Sequence, residues 1–191
     1  GPFSRITFGD TSAVRPVWSP DGREVFYVSD RAGSGVGTPY AHRADGTGIA
    51  RPLTSSKLDF GQITPSRDGR WLVLRTSGST AGGGDILGLK AGDTTLVPLV
   101  ATAATEFYPA LSPDGRWLAY ASTESGTMEV YVRPFPETAT AKWQVSTAGG
   151  SEPVWANSGR ELFYVNGKSE LVSADIRPGA AFSVGEQHAL F

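Results

Sequence analysis

Short apolar stretches recur along the chain in pairs, and each pair hinges on a turn phrase. Val14–Pro20 and Arg23–Asp30 flank Pro20-Asp21-Gly22, and the second stretch contains Val25, Phe26, Tyr27 and Val28. Two strands joined by a tight turn is the reading this pattern supports. Pro39–Arg43 and Arg51–Thr54 then complete a four-stranded unit. The plan recurs as Gln62–Pro65, Trp71–Thr76, Asp85–Leu89 and Thr95–Val100, and as Tyr108–Ser112, Trp117–Ser122, Met128–Pro134 and Trp143–Ser146. A fourth unit reads Glu152–Trp155, Glu161–Val165, Glu170–Asp175 and His188–Phe191. No apolar pattern at helical spacing is sustained anywhere.

The turn phrase is itself the repeat marker. Ser-Pro-Asp-Gly-Arg occurs at Ser19–Arg23 and Ser112–Arg116, with altered copies at Ser66–Arg70 and Ala156–Arg160. Proline presets φ for the turn, aspartate bonds its own downstream backbone, and glycine takes the left-handed conformation that closes the hairpin. The four glycines, Gly22, Gly69, Gly115 and Gly159, stand 47, 46 and 44 residues apart. A period near 45 residues with four strands per period marks a repeat architecture.

The second strand of each unit is apolar on both faces: Val25-Phe26-Tyr27-Val28, Trp71-Leu72-Val73-Leu74, Trp117-Leu118-Ala119-Tyr120 and Leu162-Phe163-Tyr164-Val165. A sheet open to water on one side alternates. A β-sandwich covers one face of each sheet, whereas sheets stacked radially around an axis are covered on both. The expected fold class is therefore all-β, a β-propeller of four-stranded antiparallel blades. Blade units are expected over residues 3–57, 58–103, 104–148 and 149–191. A leading outer strand at Ser4–Phe8 precedes the first hairpin, one more than a closed ring of four needs. Gly1-Pro2 reads as the scar of a removed purification tag, which makes the chain a piece of a longer protein.

Composition narrows the functional classes. The chain has 24 glycines and 13 prolines among 191 residues, an excess that suits many turns. A net charge of −2 without a lysine/arginine cluster argues against nucleic acid as a partner. No cysteine is present, so disulfides and thiolate metal sites are excluded. No apolar run is long enough for a membrane helix, and no membrane contact by this segment is expected.

Catalytic candidates are few. His42 and His188 are the only histidines. They lie in strands of different units and are not expected to serve a triad, which needs base, nucleophile and orienting acid in mutual reach. No Gly-x-Ser-x-Gly elbow occurs. Asp21, Asp68 and Asp114 are turn residues at matching positions, and the paired tryptophans Trp71/Trp117 and Trp18/Trp155 are expected between blades. Gly82-Gly83-Gly84 reads as a hairpin tip and not a nucleotide cradle. No catalytic residue, metal site or cofactor is assigned, and the chain is expected not to be an enzyme.

The loops before each first strand should rim the mouth of a central channel, where such scaffolds carry function. Arg15, Gln62, Tyr108 and Glu152 stand at the start of the first strands, with Asp59, Phe60, Glu106 and Phe107 beside them. They differ from unit to unit while the turn at the other end hardly varies. Ordinary variation of a solvated loop gives the same pattern. Arg15, Gln62, Tyr108, Glu152 and Phe107 are the binding candidates, for a protein or a small ligand.

At its Ser-Pro-Asp-Gly-Arg turns the chain resembles the TolB-type, WD-repeat-like β-propellers of bacteria, over essentially its whole length. The third and fourth units resemble a narrower branch, the propeller regions of bacterial serine/threonine protein kinases. The residues that carry this are Ser112-Pro-Asp-Gly-Arg-Trp-Leu-Ala-Tyr, Glu129-Val-Tyr-Val-Arg-Pro-Phe-Pro, Trp143-Gln-Val-Ser-Thr, Pro153-Val-Trp and Gly159-Arg-Glu-Leu-Phe-Tyr-Val. The resemblance implies a larger propeller of which this is a four-unit section. The kinase signatures are read as absent: a glycine-rich phosphate loop followed by a strand lysine, His-Arg-Asp and Asp-Phe-Gly. The implied function is a non-catalytic binding or sensing scaffold in a kinase-linked parent. Its end blades would expose apolar faces, including Phe26, Tyr27, Leu162 and Phe163, so the chain is expected to self-associate, two copies closing a ring of eight blades. Two other readings stay open: the gating propeller of a prolyl-oligopeptidase-type serine peptidase, and a free-standing periplasmic TolB-like interaction protein. The compartment is left undetermined; a membrane-tethered parent with this region outside the cytoplasm is one arrangement the resemblance allows.

Overall fold

A computed structural model of the chain describes residues 5–7, 12–30, 33, 35–78, 83–177 and 182–191. Among the described residues it has sixteen strands and no helix. The first sheet is β1 (Ala13–Trp18), β2 (Glu24–Ser29), β3 (Thr38–Arg43) and β4 (Arg51–Pro52). The second is β5 (Phe60–Pro65), β6 (Trp71–Thr76), β7 (Ile86–Lys90) and β8 (Leu96–Val100). The third is β9 (Glu106–Leu111), β10 (Trp117–Ser122), β11 (Glu129–Pro134) and β12 (Trp143–Gln144). The fourth is β13 (Gly150–Trp155), β14 (Glu161–Asn166), β15 (Leu171–Ile176) and β16 (Val184–Ala189). Each is an antiparallel meander in chain order. Of the leading strand expected at Ser4–Phe8, Arg5–Thr7 is described and is not a strand; the remainder lies outside the described residues.

The hairpin phrase works through one bifunctional hydroxyl. Ser112 Oγ donates to Asp114 Oδ1 at 2.6 Å and accepts the Trp117 amide at 3.0 Å, while Asp114 Oδ1 accepts the Arg116 amide at 3.1 Å. Ser19 with Asp21, and Ser66 with Asp68, make the same set. Gly22, Gly69, Gly115 and Gly159 follow at φ between 68° and 72°, where a side chain is strained. The fourth turn has Ala156 in place of serine and keeps only a 3.2 Å bond from the Arg160 amide to Ser158 Oγ. Ser112→Ala strips the part-buried Trp117 amide of its acceptor and is expected to cost about 1–2 kcal/mol in urea unfolding.

Three cores join the blades in sequence. Phe26, Val28 and Ala41 of the first blade meet Ile63, Leu74, Leu87 and Leu89 of the second. Val73, Ile86, Leu99 and Val100 meet Leu118, Tyr120, Tyr131 and Phe135. Ala119, Val130, Val132 and Val145 meet Trp155, Leu162, Tyr164, Val172 and Ala174. Alternate residues of β6 and β10 thus face the preceding and the following blade, which is why the sequence shows no alternation there.

This assignment corrects the expected end faces. Phe26 and Leu162 lie in inter-blade cores, not at the ends. Tyr27 stacks on Tyr40 at 6.0 Å and is buried, so the outer face of the first blade is not left bare at its centre. Phe163 is half-buried, on the far side of the last blade. The matched tryptophans also part company. Trp155 is 9% exposed and donates its indole N–H to Ala110 O of the preceding blade at 3.2 Å; Trp18, in the first described blade, is 61% exposed.

Candidate functional site

The first strands form the inner wall. Trp18, Gln62, Pro65, Ala110, Val154 and Trp155, drawn from all four blades, line one open concavity of about 520 Å³. The strands reach further toward the mouth than expected: β5 begins at Phe60, β9 at Glu106 and β13 at Gly150. Gln62, Tyr108 and Glu152, expected to open their strands, therefore lie inside them, as Arg15 does, and Phe107, expected in the loop before one, is a strand residue too.

The cause is a bulge. Register slips in β1 between Val14 and Val17, in β13 between Ser151 and Val154, and in the β9–β10 pairing between Ala119 and Ala121. Within these bulges Arg15, Tyr108 and Glu152 sit at φ of 51°, 53° and 53°. Each precedes a proline, Pro16, Pro109 or Pro153, which has no N–H to give the ladder. A non-glycine residue in left-handed backbone costs on the order of 1–3 kcal/mol and turns its side chain out of the pleat. In the second blade Gln62 precedes Ile63, the slip falls between Phe60 and Gln62, and the left-handed residue is missing. Proline inside an edge strand was the sequence signal for this geometry, and the repeat reading passed over it.

Phe107 and Tyr108 stand side by side with ring centroids 5.8 Å apart. Arg75, paired with Gln62 across β5 and β6, was not among the candidates; its guanidinium lies 4.2 Å from the Phe107 ring centre. Burial, then the neighbouring charge of Arg15, lowers the Arg75 pKa, while Tyr108 opposes the shift. Arg15, Arg75, Phe107 and Tyr108 thus form one cluster at the mouth, and Gln62 adjoins it through Arg75. Glu152 is exposed on β13 and has no ion-pair partner among the described residues. Of the flanking residues, Phe60 is core, and Asp59 Oδ1 accepts the Gly37 amide at 2.6 Å. Glu106 is fully buried; its Oε1 accepts from Thr102 Oγ1 at 2.5 Å and its Oε2 has no partner among the described residues. Burial, then the charges of Asp85 and Glu124, pushes its carboxyl up to about 6 against the opposing Thr102 bond.

The letters Asp59-Phe60-Gly61 match the kinase magnesium motif and correct the reading that Asp-Phe-Gly is absent. Here Phe60 fills the core between blades and Asp59 ties a loop. Gly84 is buried against Arg75, Gly83 abuts Thr105, and Gly82 lies outside the described residues. His42 is buried in β3 with Nδ1 3.0 Å from Arg43 O; His188 is exposed, 3.5 Å from Glu186. Among the described residues no three His, Cys, Asp or Glu side chains gather as metal ligands.

No protein-family model matches the sequence, and no curated protein is similar enough to count as a relative. Solved structures do match. TolB from Acinetobacter baumannii superposes with a TM-score of 0.70 at 18% identity over 94% of this chain and 44% of its own. A TolB-type protein from Agrobacterium tumefaciens gives 0.72 at 16% identity, covering 92% of this chain and 62% of that one. A puromycin-hydrolysing peptidase from Mycobacterium tuberculosis gives 0.68 at 17% identity, over 88% of this chain and 30% of its own. The fold is that of a TolB-like β-propeller, all-β, in four antiparallel four-stranded blades. The chain spans less than two thirds of the length of these proteins.

Proposed function

We propose that this chain is a non-catalytic binding scaffold, a section of a larger bacterial propeller that holds a partner at its channel mouth. The observation that carries this is the set of bulges. Three blades adopt costly backbone at one equivalent position and present three different side chains there, Arg15, Tyr108 and Glu152. A rigid frame displaying variable groups at one rim is the arrangement of a recognition surface. The placement of His42 and His188 supports a non-enzymatic reading, and an ester or peptide-anilide hydrolysis assay on the chain is expected to be blank. Turnover that survives purification to homogeneity overturns it.

The kinase-linked parent rests on the phrases of the third and fourth units. The gene sequence on either side tests it: a kinase domain upstream supports it, and a hydrolase domain downstream favours the peptidase-gating reading, with which the peptidase match is in keeping.

Self-association follows from the two unequal ends. Val154 pairs with Phe163 as Val17 does with Phe26, yet Val17 packs into the first core and Val154 is 60% exposed. Trp18 and Val154 are thus the two halves of a contact made internally by Trp155 and Ala110. A head-to-tail pair of chains supplies both halves twice and closes a ring of eight. Sedimentation at high concentration is expected to give twice the 20.1 kDa chain mass, and Val154→Lys to return it to one. A single-chain mass for the unaltered protein at every concentration removes this part of the proposal.

A further inference from the structure

Among the unpaired charges at the mouth, Arg75 is half-buried, whereas Arg15 and Glu152 are exposed. Arg75 occupies the position that Val28, Ala121 and Val165 hold in the other blades, so it breaks the apolar pattern of its strand. Its Nε donates to Glu106 O at 2.9 Å. Its two Nη groups lie against the backbone of Gly61 and Gly84, where a Cβ would come within 3.2 Å and 2.8 Å of them. No carboxylate pairs with it among the described residues. A half-buried guanidinium held at Nε, braced by glycine backbone and covered on one face by Phe107, keeps its outer N–H groups for a ligand.

We propose that Arg75, stacked on Phe107 and flanked by Arg15 and Tyr108, anchors a carboxylate of a bound peptide at the channel mouth. The inference rests on the reading that the mouth binds a partner, and it names the chemistry of that partner. Two parallel N–H bonds from one planar fork suit a carboxylate. The ring pair Phe107–Tyr108, 5.8 Å between centroids, offers an apolar platform for the adjoining side chain. The two sources of such a group are a free C-terminus and an acidic side chain.

The test is a titration of the whole chain followed by amide and arginine Nε resonances at constant ionic strength. N-acetyl-phenylalanine carries a terminal carboxylate beside an aromatic ring; its amide has the same shape without the charge; N-acetyl-aspartyl amide carries the side-chain carboxylate. An acid is expected to shift Arg75 Nε–H and the Phe107 and Tyr108 amides, with the neutral amide at least tenfold weaker. The tighter of the two acids names the source. Arg75→Val, the residue that the first and fourth blades carry at this position, is expected to fold and to lose the shifts at Phe107 and Tyr108. Arg75→Lys keeps the charge without the fork and should bind several-fold more weakly. Equal shifts from acid and neutral amide, or undiminished acid binding by Arg75→Val, overturn the carboxylate inference while leaving a ligand-binding mouth. No shift from either acid overturns it as well, and the scaffold reading then stands on its own assays.

Discussion

Leu162→Ala is expected to lower the free energy of unfolding by about 2–5 kcal/mol, while Phe163→Ala, one residue along the same strand, costs less than about 1.5 kcal/mol. Leu162 is fully buried against the third blade, in a core with Val130, Val132 and Trp155. Removing its branched end leaves a cavity that two stacked sheets, each tied by its own ladder, close poorly. Phe163 faces the other way, where the described residues form no further blade, and is half-buried. Hydrophobicity favours the opposite order, because phenylalanine is the larger side chain; only the direction each faces reverses it. The corresponding pair in the third blade, Leu118 and Ala119, is fully buried on both sides. Urea midpoints at unchanged slope are the measurement. Equal losses at the two positions would sink the radial arrangement of faces. On the proposed self-association, Phe163→Ala should also weaken the assembly, since its face is the one a second copy would cover.

The second large effect is a pH dependence with a sign opposite to the usual carboxylate. Glu106 holds its proton more tightly folded than unfolded, its pKa moving from 4.5 to about 6. The stability tied to that proton is complete below about 4.5 and is lost as pH rises through about 6. From this group alone the protein should be more stable at pH 4.5 than at 7.5 by about 1–2 kcal/mol. The charges facing it are Asp85 and Glu124, the latter paired with Lys142 at 2.7 Å. In Glu106→Gln the slope between these pH values should flatten, whatever happens to the absolute melting temperature. The hairpin aspartates act in a separate window. Asp68, bonded first by Ser66 and then by Arg70, is held at about 2 against an ordinary 3.8. Burial alone would raise Asp114, but its bonds from Ser112 and Arg116 outweigh it and the net shift is down. Their contribution is present above about 4 and is lost as pH falls toward 2. Calorimetry across both windows checks the signs; a variant slope equal to that of the unaltered protein would contradict the role of Glu106.

Most of the architecture was legible because its causes are local. Asp114 and Gly115 specify a turn whatever surrounds them, and the strands Trp71–Thr76 and Trp117–Ser122 match the expected bounds to the residue. The first strands were set too short because Tyr108-Pro109 and Glu152-Pro153 looked like strand starts. Both are interruptions inside longer strands, bridged by left-handed backbone. Arg75 was invisible as a site residue because its meaning depends on Phe107 and Glu106, which are about thirty positions away and belong to the next blade.

The chain by itself determined four meanders, their turns and the apolar faces of their central strands, since period, turn chemistry and alternation act over a few residues. Which face meets which neighbour, why Trp155 is buried and Trp18 bare, and where an unpaired guanidinium comes to rest were decided only by stacking one sheet on the next. Those outcomes depend on distances between blades, and a linear pattern that repeats almost unchanged does not distinguish a blade flanked on both sides from one at the end.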